Sequence, residues 1–147
     1  DIQQVFQLDR PSPYMLLVVP VAEEIRKPLP ADYPDWPLYK RLYFKRSELP
    51  AITHIDFSAR LQSVSRKDNP LYWELIRAFK ELTGFGVVIN TSFNVRGEPI
   101  VCTPEEAFRC FMQTEMDYLV MNDYVFDKSE MQSLKKKYSW ETVFDMD

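Results

Sequence analysis

Between residues 86 and 106 the chain passes from a short β-branched run, Gly86-Val87-Val88-Ile89, through a polar loop, into a helix opened by Thr103-Pro104-Glu105-Glu106. The run reads as a buried strand entered through glycine, and the helix start is a capping box with proline in the first turn. A polar loop leaving the end of a buried strand is a common ligand position in open α/β sheets. The loop is Asn90-Thr91-Ser92-Phe93-Asn94-Val95-Arg96-Gly97-Glu98-Pro99. Hydroxyls and backbone N–H groups can surround phosphate oxygens, an arginine fork can bind them in pairs, and glycine lets the backbone approach. The same residues can also form a turn that caps its own backbone.

Other helix signals are equally local. Asn69-Pro70 starts a helix whose apolar positions Tyr72, Leu75, Ile76, Phe79 and Leu82 share one face, spaced to pack on a sheet, and Gly84 ends it as a left-handed cap. The helix after Thr103 buries Ala107, Phe108, Phe111 and Met112. Residues 14–19 are apolar on both faces and read as a central strand. Residues 27–38 hold Pro28, Pro30, Pro34 and Pro37 and read as an ordered or semi-ordered surface loop that is not itself a helix or strand. Residues 119–121 and 124–126 flank the turn pair Asn122-Asp123 and read as a terminal hairpin or two short strands. Lys135-Lys136-Lys137 belongs to a solvated helix or frayed tail.

Residues 53–64, Thr-His-Ile-Asp-Phe-Ser-Ala-Arg-Leu-Gln-Ser-Val, alternate if extended. One face then presents Ile55, Phe57, Ala59 and Leu61, and the other His54, Asp56, Ser58, Arg60 and Gln62. An exposed strand without function alternates in the same way. The mixture of histidine, aspartate, arginine and glutamine, however, supplies donors and acceptors suited to a phosphate or a nucleotide edge.

The two blocks together resemble the NodU/CmcH-type O-carbamoyltransferases. INTSFNVRGEPIVCTPEEAFRCF is similar to the C-terminal signature of that family, and residues 53–64 to its other hallmark, usually THVDG-T/S-ARxQTV. Ser-Pro-Tyr-Met at 12–15, Asn69-Pro70 and residues 116–120 fall where the family has similar residues, so the likeness runs from about Ser12 to about Phe126. It places residues 1–126 in a C-terminal, YrdC-like region and leaves 127–147 as a tail. The implied fold is α+β, with a mixed, twisted sheet and packed helices. The implied reaction activates carbamoyl phosphate with ATP to carbamoyl adenylate, for transfer to an acceptor hydroxyl. On this likeness Arg60, Ser92 and Asn94 are the catalytic candidates that hold phosphate and carbamoyl groups. His54, Asp56, Gln62, Asn90, Thr91 and Arg96 are substrate-binding candidates. Mg²⁺ accompanies ATP, with Asp56 and Glu98 as candidate carboxylates and no metal-ligand set assigned.

Phe57 stands where the family usually has glycine, which puts the turn after Asp56 in question. The family's GPRALGNRS-type and FRPFAP-type segments do not occur in this sequence. Its large actin-like N-terminal domain, expected to hold the acceptor and an iron site, does not occur either. The region is thus read as an incomplete domain, inactive alone, whose uncovered apolar surface promotes self-association. A non-catalytic nucleotide-binding or protein-docking module that kept the pocket is the alternative reading. An RNA-binding module of the YrdC kind is disfavoured by acidity.

The 147 residues are 46% hydrophobic and 14% aromatic with 3 glycines, which argues against disorder. A net charge of -4 weighs against a broad nucleic-acid footprint. No apolar stretch approaches the ~20 residues of a membrane span. Cys102 and Cys110 read as buried thiols of a reducing, cytoplasmic compartment, and one histidine is too few for a zinc site.

Overall fold

A computed structural model describes residues 2–131. It is α+β: strand β1 (Leu17–Pro20), helix α1 (Leu38–Tyr43), strand β2 (Ser58–Leu61), helix α2 (Pro70–Thr83), helix α3 (Pro104–Gln113) and strands β3 (Tyr118–Met121) and β4 (Tyr124–Asp127). The chain divides into two compact units, Asp1–Ile89 and Asn90–Asp147.

In the first unit β1 and β2 form an antiparallel ribbon with Val18 opposite Arg60 and Val19 opposite Ala59. One face of it closes a core of Val5, Phe6, Val19, Val21, Ala22, Ile25, Ala59 and Leu61. The expected mixed sheet is absent among the described residues, whose strands form two antiparallel ribbons. Nor is residues 14–19 a central strand: β1 has one neighbour, and Tyr14, Leu16 and Val18 are exposed. Residues 86–89 are not a strand either. Phe85 and Val87 pack against the core, but the segment joins no β-ladder. Burial was legible there and pairing was not, because an apolar run fixes only the former.

The limits of α2 are those that its ends dictate. Asn69 accepts the N–H of Tyr72, Pro70 takes the first turn, and Gly84 closes the helix at φ 85° while donating to the Lys80 carbonyl. Its packing differs from expectation. No residue of α2 is buried, and Leu71, Leu75, Phe79 and Leu82 are exposed. Periodicity names the face that would be covered, not what covers it. Arg77 bridges Glu74 and Glu81 on the polar side. Phe79 and Thr83 line a cleft of about 620 Å³ with Leu49, Ile52, Phe85 and Val87.

The proline-rich segment is ordered and includes one short helical turn. A 3-10 turn, Tyr33–Asp35, buries Tyr33 against Trp36 and Phe44, with ring centroids 5.4 and 5.6 Å away. Pro37 then precedes α1, whose last carbonyls, on Arg41 and Leu42, accept from the buried Arg46 guanidinium.

The second unit is α3 on the β3–β4 hairpin, around Phe111, Met112 and Leu119. The capping box is complete: Glu106 N–H donates to the Thr103 hydroxyl, while the Glu106 carboxylate accepts the N–H groups of Cys102 and Thr103. Those two backbone bonds, that of Cys102 foremost, hold the Glu106 carboxyl below its ordinary range. Its stabilisation is therefore complete above that range and is lost as pH falls through the lowered value. Thr103→Ala is expected to cost about 1 kcal/mol, read as a lowered urea midpoint of this unit at neutral pH. At the helix's other end the Lys128 ammonium donates to the carbonyls of Phe111 and Thr114. Cys110 is buried and Cys102 is exposed, which corrects the reading of both as buried. Burial, and then the charge of Glu98, push the Cys110 thiol above its ordinary value. The Lys-rich stretch at 135–137 lies outside the described residues.

Candidate functional site

The first group of candidate residues is built on a closed turn. His54 N–H donates to the Ser58 carbonyl at 2.8 Å and Phe57 N–H to the His54 carbonyl at 3.1 Å, so residues 54–58 fold back before β2 begins. Strand alternation consequently holds for Ala59 and Leu61, both buried, and not for Ile55 and Phe57. Phe57 adopts φ 62°, a left-handed conformation costing a side chain about 1–2 kcal/mol, where glycine adopts it freely. The turn thus survives the departure from the family pattern. The Phe57 ring lies 5.2 Å from the Arg26 guanidinium, a cation–π contact that offsets part of that strain.

Thr53, at the start of the block, is buried and structural. Leu49 N–H donates to the Ser47 hydroxyl, Ser47 donates to Thr53, and Thr53 donates to the Leu49 carbonyl, with distances of 3.0, 2.7 and 2.8 Å. The buried Arg46 donates to the Thr53 carbonyl at 2.8 Å. This network anchors the turn from beneath. No short motif announces it, since its members are brought together by the fold of residues 46–53 and not by periodicity.

On the exposed side, the Asp56 carboxylate accepts from the Ser58 hydroxyl at 2.7 Å and from its N–H at 3.0 Å, and His54 Nδ1 lies 3.0 Å from the same hydroxyl. The hydroxyl bond, followed by the backbone bond, holds the Asp56 carboxyl below its ordinary value. Further along, Arg60 Nη2 donates to the Met15 carbonyl at 3.0 Å and Gln62 Nε2 to the Pro13 carbonyl at 2.9 Å. The Ser12-Pro13-Tyr14-Met15 segment therefore serves as a rail of carbonyls that fixes both long side chains. Ser12 and Ser63 complete it, Ser12 N–H donating to the Ser63 hydroxyl and Ser63 N–H to the Ser12 carbonyl. A guanidinium carries five N–H donors. Arg60, exposed, is thus held by one and keeps others for a ligand.

The second group lies in the other unit. Asn90, Thr91, Ser92 and Arg96 are exposed, whereas Phe93 packs against the Phe111 core. Phe93 also accepts the Val101 N–H, which pins the loop. Glu98 N–H donates to the Val95 carbonyl around Gly97, whose φ of 90° is one that glycine alone adopts without strain. Asn94 spends its amide N–H₂ on the carbonyls of Val95 and Glu98, and its Oδ1 is buried without a hydrogen-bond partner. It holds the loop's shape, while Ser92 and Arg96 face solvent. His54, Asp56, Arg60 and Gln62 belong to one unit, and Asn90 to Arg96 to the other. Among the described residues no three His, Cys, Asp or Glu side chains converge on a metal site, and no helix is long and apolar enough to cross a membrane.

Residues 1–128 match the family described as Carbamoyltransferase C-terminus. The chain belongs to that family. The uncharacterized protein sll1178 of Synechocystis sp. is 52% identical over 97% of this chain and 23% of its own length. Nodulation protein NolO of Bradyrhizobium diazoefficiens is 48% identical over 57% of the chain and 15% of its own. A 3'-hydroxymethylcephem-O-carbamoyltransferase of Amycolatopsis lactamdurans is 40% identical over 54% of the chain and 15% of its own. This carbamoyltransferase C-terminal region thus spans less than a quarter of the length of these relatives.

Proposed function

We propose that this chain is part of a cytoplasmic O-carbamoyltransferase and that it binds carbamoyl phosphate and ATP. There it helps form the carbamoyl adenylate from which the carbamoyl group passes to an acceptor hydroxyl. The family match supports the reaction class. The observation that carries the assignment of the site is the polar edge of β2, where Arg60 is anchored on the Met15 carbonyl yet exposed. A fixed guanidinium with unspent donors suits a dianionic phosphate, and positioned donors of this kind are the main catalytic resource of a reaction that moves phosphate charge. Arg60 neutralises the phosphoryl oxygens in this reading. The Ser92 hydroxyl and Arg96 guanidinium are further donors, on a loop whose form Asn94 and Gly97 maintain.

Atom balance sets the course of the reaction. Carbamoyl phosphate gives up phosphate to one water, and the carbamate oxygen then attacks the α-phosphorus of ATP with loss of pyrophosphate. Mg²⁺ would screen the triphosphate charge. The described residues form no carboxylate cluster for it, with Asp56 committed to Ser58, so Asp56 and Glu98 are not assigned as its ligands here. The iron expected of the family falls to the actin-like N-terminal domain, the partner proposed for this region.

Pyrophosphate and phosphate released by the full-length protein, given ATP and carbamoyl phosphate, test the reading. Release that requires both substrates supports it. Binding of both by calorimetry with no release would make the chain a nucleotide-binding module instead, and binding of neither would remove the site.

A further inference from the structure

We propose that Asp56 and Ser58 lock His54 as its Nδ1–H tautomer, so that the Nε2 lone pair accepts the amide N–H of a carbamoyl group and selects it over an acyl group without that donor. The inference rests on the reading that this site takes carbamoyl phosphate, and it assigns His54 a task within it.

The argument is one of counting hydrogens. An ionised carboxylate only accepts, and a serine hydroxyl has one hydrogen to give. The 2.7 Å contact between Ser58 Oγ and Asp56 Oδ1 therefore commits that hydrogen to the carboxylate, a charge-assisted bond and the strongest in the group. Ser58 N–H donates to the same oxygen at 3.0 Å and holds the carboxylate in place. Toward His54, then, Ser58 Oγ has only a lone pair to offer. Its 3.0 Å contact with Nδ1 is a hydrogen bond only if Nδ1 carries the proton. Were Nδ1 bare, two lone pairs would face each other, or the hydroxyl would have to abandon the carboxylate. In the neutral ring a proton on Nδ1 leaves Nε2 as an acceptor. The ring is exposed, Nε2 has no hydrogen-bond partner among the described residues, and the backbone of residues 54–58 is closed by two bonds of its own. The result is a fixed acceptor on the turn that leads directly into Arg60.

A fixed acceptor on the turn that enters the strand of the proposed anion-binding arginine distinguishes two ligands of nearly equal size. Carbamoyl phosphate carries an NH₂ where acetyl phosphate carries a methyl group. Only the former can donate, and the methyl analogue leaves the acceptor desolvated and unmatched. Asp56 and Ser58 act through the ring and are positioning residues.

The chain contains one histidine, so ¹⁵N labelling of histidine gives one pair of ring signals. Long-range ¹H–¹⁵N correlation at a pH where the ring is neutral is expected to show Nδ1 protonated. Ser58→Ala and Asp56→Asn are expected to shift the ring toward the Nε2–H form that free imidazole side chains prefer. In the full-length protein, the preference for carbamoyl phosphate over acetyl phosphate as a competitor should fall about tenfold in Ser58→Ala and in His54→Phe. Inhibition by inorganic phosphate should not change. His54→Gln, which restores an acceptor, should recover part of the preference. An Nε2–H ring in the unmodified chain overturns the proposal. So does an unchanged preference in Ser58→Ala and His54→Phe when the parent protein uses carbamoyl phosphate normally. Failure of the parent to use carbamoyl phosphate at all would instead remove the function on which the proposal stands.

Discussion

Lysine in place of Arg60 is expected to lower kcat/KM for carbamoyl phosphate about a hundredfold in the full-length protein, at unchanged stability. Arg60 does two things at once: Nη2 is held by the Met15 carbonyl, and the rest of the planar group remains available. A lysine ammonium keeps the charge, but it is a point on a flexible stem. If it donates to Met15 it loses reach toward an anion, and if it reaches the anion it loses its anchor. The side chain is exposed, so folding should not register the change. Initial rates across a range of carbamoyl phosphate concentrations decide the matter. A variant with the parent's dependence on that substrate would show that Arg60 lies outside the site. Ser92→Ala should be milder, because one hydroxyl is one contact among several.

The largest expected effect on folding belongs to Phe111→Ala, about 3–5 kcal/mol. The residue is 0% exposed and is the centre of the second core, touched by Met112 and Leu119, with the Phe108 ring 6.4 Å away. Its ring also lies 4.4 Å beneath the Lys128 ammonium, so truncation removes a cation–π contact along with the packing. Phe93 leans on the same cluster, and the loop from Asn90 to Glu98 should lose definition together with the core. Urea unfolding followed at resonances of Leu119 and Met121 measures the loss. A midpoint close to that of the parent would mean that the cavity is refilled by its neighbours. Phe111→Leu, which keeps most of the volume, should retain a large part of the stability.

What could be read from residues alone was what residues settle locally. Thr103, Pro104 and Glu106 satisfy one another within a single turn, so the start of α3 needed nothing distant to specify it. Asn69 and Gly84 did the same for α2. Burial and pairing were less accessible because they depend on what arrives from elsewhere. Leu71, Leu75 and Leu82 form an apolar face that remains exposed, and Val87 is half-buried without joining a ladder. The short helix α1 begins where the proline-rich segment ends, and six residues are too few for an apolar period to announce them. The chemistry of the candidate site divides in the same way. Arg60 and Ser92 could be chosen from their motifs, but the carbonyl rail at Pro13 and Met15 could not. Nor could the commitment of the Asn94 amide to its own loop, since each of these depends on backbone positions that side-chain identity does not reveal.

The ammonium that closes α3 also determines how this unit can be cut. Lys128 follows the last residue of β4, donates its N–H groups to the carbonyls of Phe111, in the last turn of α3, and of Thr114, which caps it, and is the final residue of the family match. A shortened chain that stopped at Asp127 would retain α3, β3 and β4, yet it would leave the Phe111 and Thr114 carbonyls without that donor. The last residue of β4 is therefore not the last one that holds the end of α3 in place. Met131, three residues on and packed against the same core, marks a safer place to divide it.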